Sequence, residues 1–168
     1  MKAKDPEKMA ALRFDSIEKA FFGVKVLKGI SFTLKSGNTL GLVGENGAGK
    51  STLMNILGGN LPSDSGSIEL WQEPYQPSSP TDAEQVGIAF VHQELNLFGN
   101  LSVAENLFIN GFPTRAGLIQ RKTIREKASK ALEQVGLAIS PDSPVDRLSA
   151  GERQLVEIAK ALARNARL

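Results

Sequence analysis

The stretch that decides the fold is "GENGAGKST", residues 44–52. Gly44 is followed by four residues and then by Gly49, Lys50 and Ser51, the spacing of a phosphate-binding P-loop when a strand enters it and a helix leaves it. The flanks fit both conditions. Thr39–Val43 is a short apolar run of strand type, and "STLMNIL" has helical spacing and stops at Gly58 and Gly59. Glycines let main-chain N–H groups close around phosphate oxygens at the positive end of the helix that follows. Lys50 then neutralises the outer phosphates of a nucleotide, and the Ser51 hydroxyl reaches Mg²⁺.

Upstream of the loop, "LRFDSI" and "ISFTL" alternate apolar and polar residues as half-buried strands do, and "KSGN" is a turn before Thr39. Downstream, "GSIELW" is a further strand, "EPYQPSSPTD" is a connection, and "VGIAFV" is a buried-strand candidate of the same sheet, ending in "HQE". From Leu101 the pattern becomes helical. Ser102 and Glu105 are spaced as a capping box, "RKTIREKASKALEQVG" aligns Ile124, Ala128, Ala131 and Val135, and Gly136 ends that helix. "LAISPDSPVDR" is a loop, and a last helix places Leu155, Ile158, Ala159 and Leu162 on one face. The expected class is α/β with a β-rich opening and an α-helical last third.

At 168 residues the chain can bury a substantial core, and a net charge of +2 does not call for nucleic acid or an anionic membrane as partner. It has no cysteine, so disulfides and thiolate metal sites are excluded and any metal must take oxygen ligands. The start "MKAKDPEKMAAL" lacks the apolar stretch of a secretory signal, and no apolar run reaches the ~18 residues of a membrane span.

Other residues have two readings each. Gln93 in "VHQELNLF" is a solvated strand end or a site residue. In "LSAGERQ", Ser149 as N-cap and Glu152 three positions on form a capping box, in which Ser149→Ala costs about 0.5–2 kcal/mol. The same serine, glycine and helix start can also meet a phosphate from outside. His92, the single histidine, is a strand-end residue with no triad or metal spacing around it. "RKTIREKASK" is the wet face of a helix rather than a nucleic-acid patch.

Taken in order, "GENGAGKST", the glutamine in "VHQE" and "LSAGERQ" at a helix start resemble the Walker A, Q-loop and signature motifs of ABC-type ATPases. The resemblance runs from Leu12 to Leu168. The phrases "KAFFGVKVLKGISF", "VGENGAGKSTLMNIL", "VHQELNLFGNLSVAENLF" and "VEIAKAL" are similar to ATP-binding subunits of bacterial monosaccharide importers of the ribose and galactose type. Those subunits usually carry two cassettes in tandem, and this chain resembles the amino-terminal part of the first.

The resemblance implies a P-loop NTPase core with an antiparallel β subdomain and an α-helical subdomain. Its parts are a leader over 1–11, an ATP-binding core with the β subdomain and P-loop over 12–100, an α-helical subdomain with connecting loop over 101–148, and a signature helix over 149–168. It implies ATP and Mg²⁺ as cofactors. ATP would be held by Gly44, Glu45, Asn46, Gly47, Ala48, Gly49, Lys50, Ser51 and Thr52, with adenine stacked on Phe21, for which Phe22 competes and for which a core role is the alternative. By the same resemblance Lys50 and Gln93 would carry catalytic roles, Ser51 would hold the metal, and Gln93 would bind the metal or the attacking water. Ser149 and Gly151 contact the γ-phosphate held by an opposing cassette. Ala150 and Glu152 stand where the family most often has glycine and glutamine, which implies a weakened or asymmetric composite site.

The implied partners are a transmembrane permease subunit, a second cassette of the same or another chain and, indirectly, a sugar-binding protein, with no nucleic acid. The implied location is cytoplasmic, at the inner face of the membrane through the permease. Family members continue past "ARNARL" into a strand ending in Asp-Glu and on to a switch histidine. The chain is therefore expected to be truncated before the Walker B strand, inactive alone in hydrolysis, and prone to self-association over the uncovered sheet edge. The alternatives are a non-catalytic nucleotide-binding or interaction module and a soluble ABC-type ATPase of DNA repair or translation.

Overall fold

The computed structural model describes residues 10–92, 94–164 and 166–168. They form two units, one running to Ile88 and including Leu168, the other spanning Ala89–Arg167. In the first, alternating apolar residues build two twelve-residue strands, β1 (Ala10–Phe21) and β2 (Val24–Lys35). They are joined by Phe22 and Gly23, both at positive φ (50° and 83°), the backbone of a type I′ hairpin turn. Helix α1 (Lys50–Leu57) follows the P-loop, and strands β3 (Ser65–Leu70) and β4 (Glu73–Pro74) complete an antiparallel sheet in the order β2-β1-β3-β4.

Strand β1 is bulged on both sides. Its pairing with β2 shifts between Phe14 and Ile17, and its pairing with β3 shifts between Asp15 and Glu18. Ser16 sits in the bulge at φ 53° and its N–H donates to Ser31 Oγ at 2.7 Å. Gly66 of β3 fits against it, since a Cβ there would lie 2.5 Å from Ser16 O.

The first core joins one face of this sheet to α1. Phe14, Ile17, Leu27, Ile68 and Leu70 from the strands meet Leu53, Ile56 and Leu57 from the helix, each fully buried side chain contributing roughly 1.5–3 kcal/mol. Helix α1 ends in a Schellman motif, with Gly59 N–H donating to Ile56 O and Asn60 N–H to Asn55 O. The Tyr75 hydroxyl donates to Leu57 O at 2.9 Å, satisfying another carbonyl of the last turn. Helix α2 (Pro80–Gln85) is capped by Ser79 and Asp82 and buries Ala83.

The second unit is helical. Helices α3 (Val103–Phe108), α4 (Arg121–Gln134) and α5 (Ala150–Ala163) pack around Leu107, Ala128, Leu132, Val145 and Val156. A short hairpin of β5 (Thr114–Arg115) and β6 (Leu118–Ile119) precedes α4. The capping box of Ser102 and Glu105 forms as read, and Gly136 at φ 68° ends α4.

Four sequence expectations fail locally. Thr39–Val43 and "VGIAFV" are not strands: neither joins a ladder among the described residues, and Leu40, Leu42, Val43, Phe90 and Val91 are exposed, Val43 to 95%. Their composition suits a central strand, but a strand exists only through its hydrogen-bonded neighbours. "LAISPDSPVDR" contains a 3₁₀ turn at Val145–Arg147 that carries buried Val145. In α5 the inward stripe is Val156 and Ala159, while Ile158 and Leu162 are exposed. Apolar residues occupy more than one face of this helix, so periodicity alone could not choose the packed one.

Candidate functional site

The candidate phosphate cradle is built where the P-loop turns into α1. Gly49 is the N-cap of α1 at φ 89°, a left-handed conformation that favours glycine. Space demands glycine as well, because a Cβ would lie 2.7 Å from Leu27 Cδ2 and 3.2 Å from Val26 Cγ1 and Val26 O. Gly47 turns the loop at φ 84°. Gly44, Glu45, Asn46 and Ala48 are exposed along it, and Ala48 N–H donates to Glu45 O at 3.2 Å.

Lys50 is the first helical residue, with Ser51 exposed and Thr52 half-buried behind it. The Lys50 ammonium curls back over the loop and donates to Gly44 O at 2.5 Å and Glu45 O at 2.7 Å. The loop thus places a cation and the first N–H groups of a helix, which lack intrahelical acceptors, on one exposed surface. That arrangement fits phosphate oxygens. The Ser51 hydroxyl is a hard oxygen donor of the kind Mg²⁺ accepts, though the described residues contain no cluster of three or more metal-ligating side chains. A cation there would take most of its ligands from phosphate and water.

Phe21 is brought near this cradle by ladder register. Gly49 abuts Val26 and Leu27 on β2, and Phe21 pairs with Val24 on the same strand. Three residues of strand span about 10 Å, the scale of a nucleotide. Phe21 is 38% exposed, whereas Phe22 is fully exposed at the turn tip.

Gln93 lies outside the described residues. The loop after it is held by two side chains that the sequence reading did not single out. Asn106 of α3, 0% exposed, accepts from Phe98 N–H at 2.7 Å and donates to Phe98 O and Ser102 O at 3.0 Å and to Leu101 O at 3.5 Å. Lys160 of α5 donates to Asn96 O at 2.9 Å, with the buried Glu157 carboxylate 4.0 Å away. The available signal was an asparagine on the apolar face of "SVAENLF" and a charged pair amid an apolar helix.

At the start of α5, Ser149 accepts from Glu152 N–H at 3.3 Å, and Glu152 Oε2 accepts from Ser149 N–H at 2.8 Å and Ser149 Oγ at 2.7 Å. These bonds hold the Glu152 carboxyl below its ordinary pKa, the serine hydroxyl contributing most. The departure at 152 is thereby folded back on its own helix. Ala150 and Gly151 are exposed, and a Cβ on Gly151 would meet nothing within 4 Å.

Residues 27–168 match the family described as ABC transporter. The chain belongs to the ABC transporter family. Among curated proteins, this ABC transporter chain is 46% identical over 159 residues to the arabinose import ATP-binding protein AraG 1 of Burkholderia lata, covering 95% of this chain and 32% of that protein. It is 46% identical over 156 residues to the arabinose import ATP-binding protein AraG of Pseudomonas syringae pv. syringae, covering 93% and 31%. The chain thus spans about a third of the length of these relatives.

Among solved structures it resembles a nucleotide-free ATP-binding cassette from an ABC transporter, with TM-score 0.79 and 31% identity over 94% of this chain and 66% of that one. The ADP conformation of MJ1267, an ATP-binding cassette of an ABC transporter, gives TM-score 0.79 and 31% identity over 95% and 66%. The P-loop NTPase fold class, with an antiparallel β portion and a helical portion, is borne out. No helix among the described residues is long and apolar enough to cross a membrane.

Proposed function

We propose that this chain is the ATP-gripping part of an ABC-type ATPase subunit that powers import of a monosaccharide, the parent protein hydrolysing ATP. The observation that carries the reading is the Gly49 N-cap wedged against Leu27, which fixes Lys50 and Ser51 at an exposed helix start. Lys50 would exchange its two carbonyl partners for the β- and γ-phosphate oxygens. Ser51 and Gln93 would hold Mg²⁺, which supplies charge neutralisation at the phosphates when bound. Phe21 would stack on adenine. Ser149 and Gly151 would meet the γ-phosphate held by an opposing cassette, with Glu152 kept aside by its cap.

The names of the matched relatives support arabinose as the sugar. A permease subunit, a second cassette and, indirectly, a sugar-binding protein are the partners of this reading, and the inner face of the membrane is the location. The exposed run Leu40, Leu42 and Val43 supports association between copies of the chain, which light scattering tests.

Calorimetric titration with Mg-ATP tests the reading, with Lys50→Ala as control. Saturable binding that the substitution abolishes is expected. A protein that binds ATP equally well without the Lys50 ammonium would refute the cradle.

A further inference from the structure

We propose that Lys19 and Asp64 are positioning residues for Phe21, clamping the end of β1 so that the ring is presented to a nucleotide base. The inference rests on the reading of Phe21 as the base-stacking residue. Strand β1 loses its β3 partner after Glu18, which pairs with Ser65, yet continues three residues further to Phe21. Asp64 takes over at that point. Its N–H donates to Glu18 O at 2.9 Å, its Oδ1 accepts from Lys19 Nζ at 2.6 Å and its Oδ2 accepts from Ala20 N–H at 2.7 Å. One residue therefore holds three consecutive positions of β1 immediately before the aromatic.

Lys19 is only 9% exposed, and lysine is seldom so buried without a partner. Its ammonium also lies 5.9 Å from the Phe21 ring centroid, within cation–π range. The lysine thus ties the Asp64 carboxylate to the ring. The aspartate carboxyl is held below its ordinary pKa, first by the Lys19 hydrogen bond and then by Ala20 N–H, so the carboxylate stays charged at neutral pH. Phe21 itself keeps an exposed surface for a ligand.

The test compares two probes on the full chain, Mg-ATP and inorganic tripolyphosphate, which has phosphates and no base. Phe21→Ala, Lys19→Met, Asp64→Ala and the milder Asp64→Asn are titrated with each, and circular dichroism checks that the sheet remains. Asp64→Ala and Lys19→Met are expected to weaken ATP binding about five- to tenfold, short of the full loss of base stacking, while tripolyphosphate binding is unchanged. In the Phe21→Ala background, Asp64→Ala should have no further effect on ATP.

Equal loss on both probes, or full additivity with Phe21→Ala, would overturn the clamp and show a merely structural pair. A selective loss in Phe21→Ala with none in Asp64→Ala or Lys19→Met would overturn it while leaving Phe21 in place. An unchanged ratio of the two affinities in Phe21→Ala would remove the stacking role itself, and the proposal with it.

Discussion

A Cβ on Gly49 would stand 2.7 Å from Leu27 Cδ2, so β2 and the helix that follows the P-loop touch where no side chain fits. Gly49→Ala must strain both this contact and a φ of 89°. It is expected to destabilise the fold by about 1–3 kcal/mol from the backbone alone. Leu27→Ala in the same chain makes room but leaves the φ strain, so the double variant should not recover. Denaturant melts check this, and a fully stable Gly49→Ala chain would refute the assignment.

Asn106 is buried and serves four main-chain groups of the loop at residues 98–102. Asn106→Leu, similar in size, leaves Phe98 N–H without its acceptor and should cost about 1–3 kcal/mol. Asn106→Asp keeps the acceptor but loses every donated bond and buries a charge, so at neutral pH it should be worse. Melting midpoints for the two variants decide the order, and a neutral Asn106→Leu would show that the loop does not depend on the amide.

Tyr75 is the sole tyrosine, and burial pushes its hydroxyl up to about 12, with the Asp82 charge adding to the effect. Because the folded value lies above the unfolded value of about 10, its contribution is intact below the unfolded value and is lost as pH rises through the folded one. A tyrosinate absorbance titration should show a single step near 12 while the chain is folded. A step near 10 in folded protein would contradict the burial of the hydroxyl beside the Asp82 charge. Tyr75→Phe should cost about 1 kcal/mol at neutral pH.

The capping carboxylates Asp82, Glu105 and Glu152 are all held below their ordinary pKa, by hydrogen bonds in which Ser78, Ser102 and Ser149 side chains respectively contribute most. Their share of stability is therefore present above the unfolded carboxylate values of about 4 and disappears as pH falls through the lower folded values. Thermal midpoints measured from neutral to strongly acidic pH should drop in that window. Glu152→Gln, which cannot titrate, should flatten its share of the drop, and an unchanged profile would argue that this cap is not charged.

Local features were legible because local spacing determines them. The capping boxes at Ser102 and Ser149 need only a serine and a carboxylate three positions on, and both form. The P-loop glycines were legible as a motif, but the reason for Gly49 lies on β2, more than twenty positions away. The failed strands at Thr39–Val43 and "VGIAFV" show the same limit from the other side. Their residues favour a sheet, and sheet pairing is a property of neighbours rather than of the run itself. Lys19 and Asp64 are 45 positions apart, and no periodicity links them. Asn106 was missed for a different reason, since a single asparagine on the apolar face of a short helix has no visible purpose until its four main-chain partners are seen.

The bulge at Ser16 has a consequence for how the chain can vary in length. Gly66 is seated against it on one side and Ser31 bonds it on the other, so β1 cannot slide by a residue relative to either neighbour. A one-residue insertion or deletion between Leu12 and Glu18 would turn Phe14 or Ile17 out of the core, because side chains alternate between the two faces of a strand. The exposed turn at Ala116 and Gly117, between two-residue strands, has no such anchor, so changes of chain length fit there far more readily.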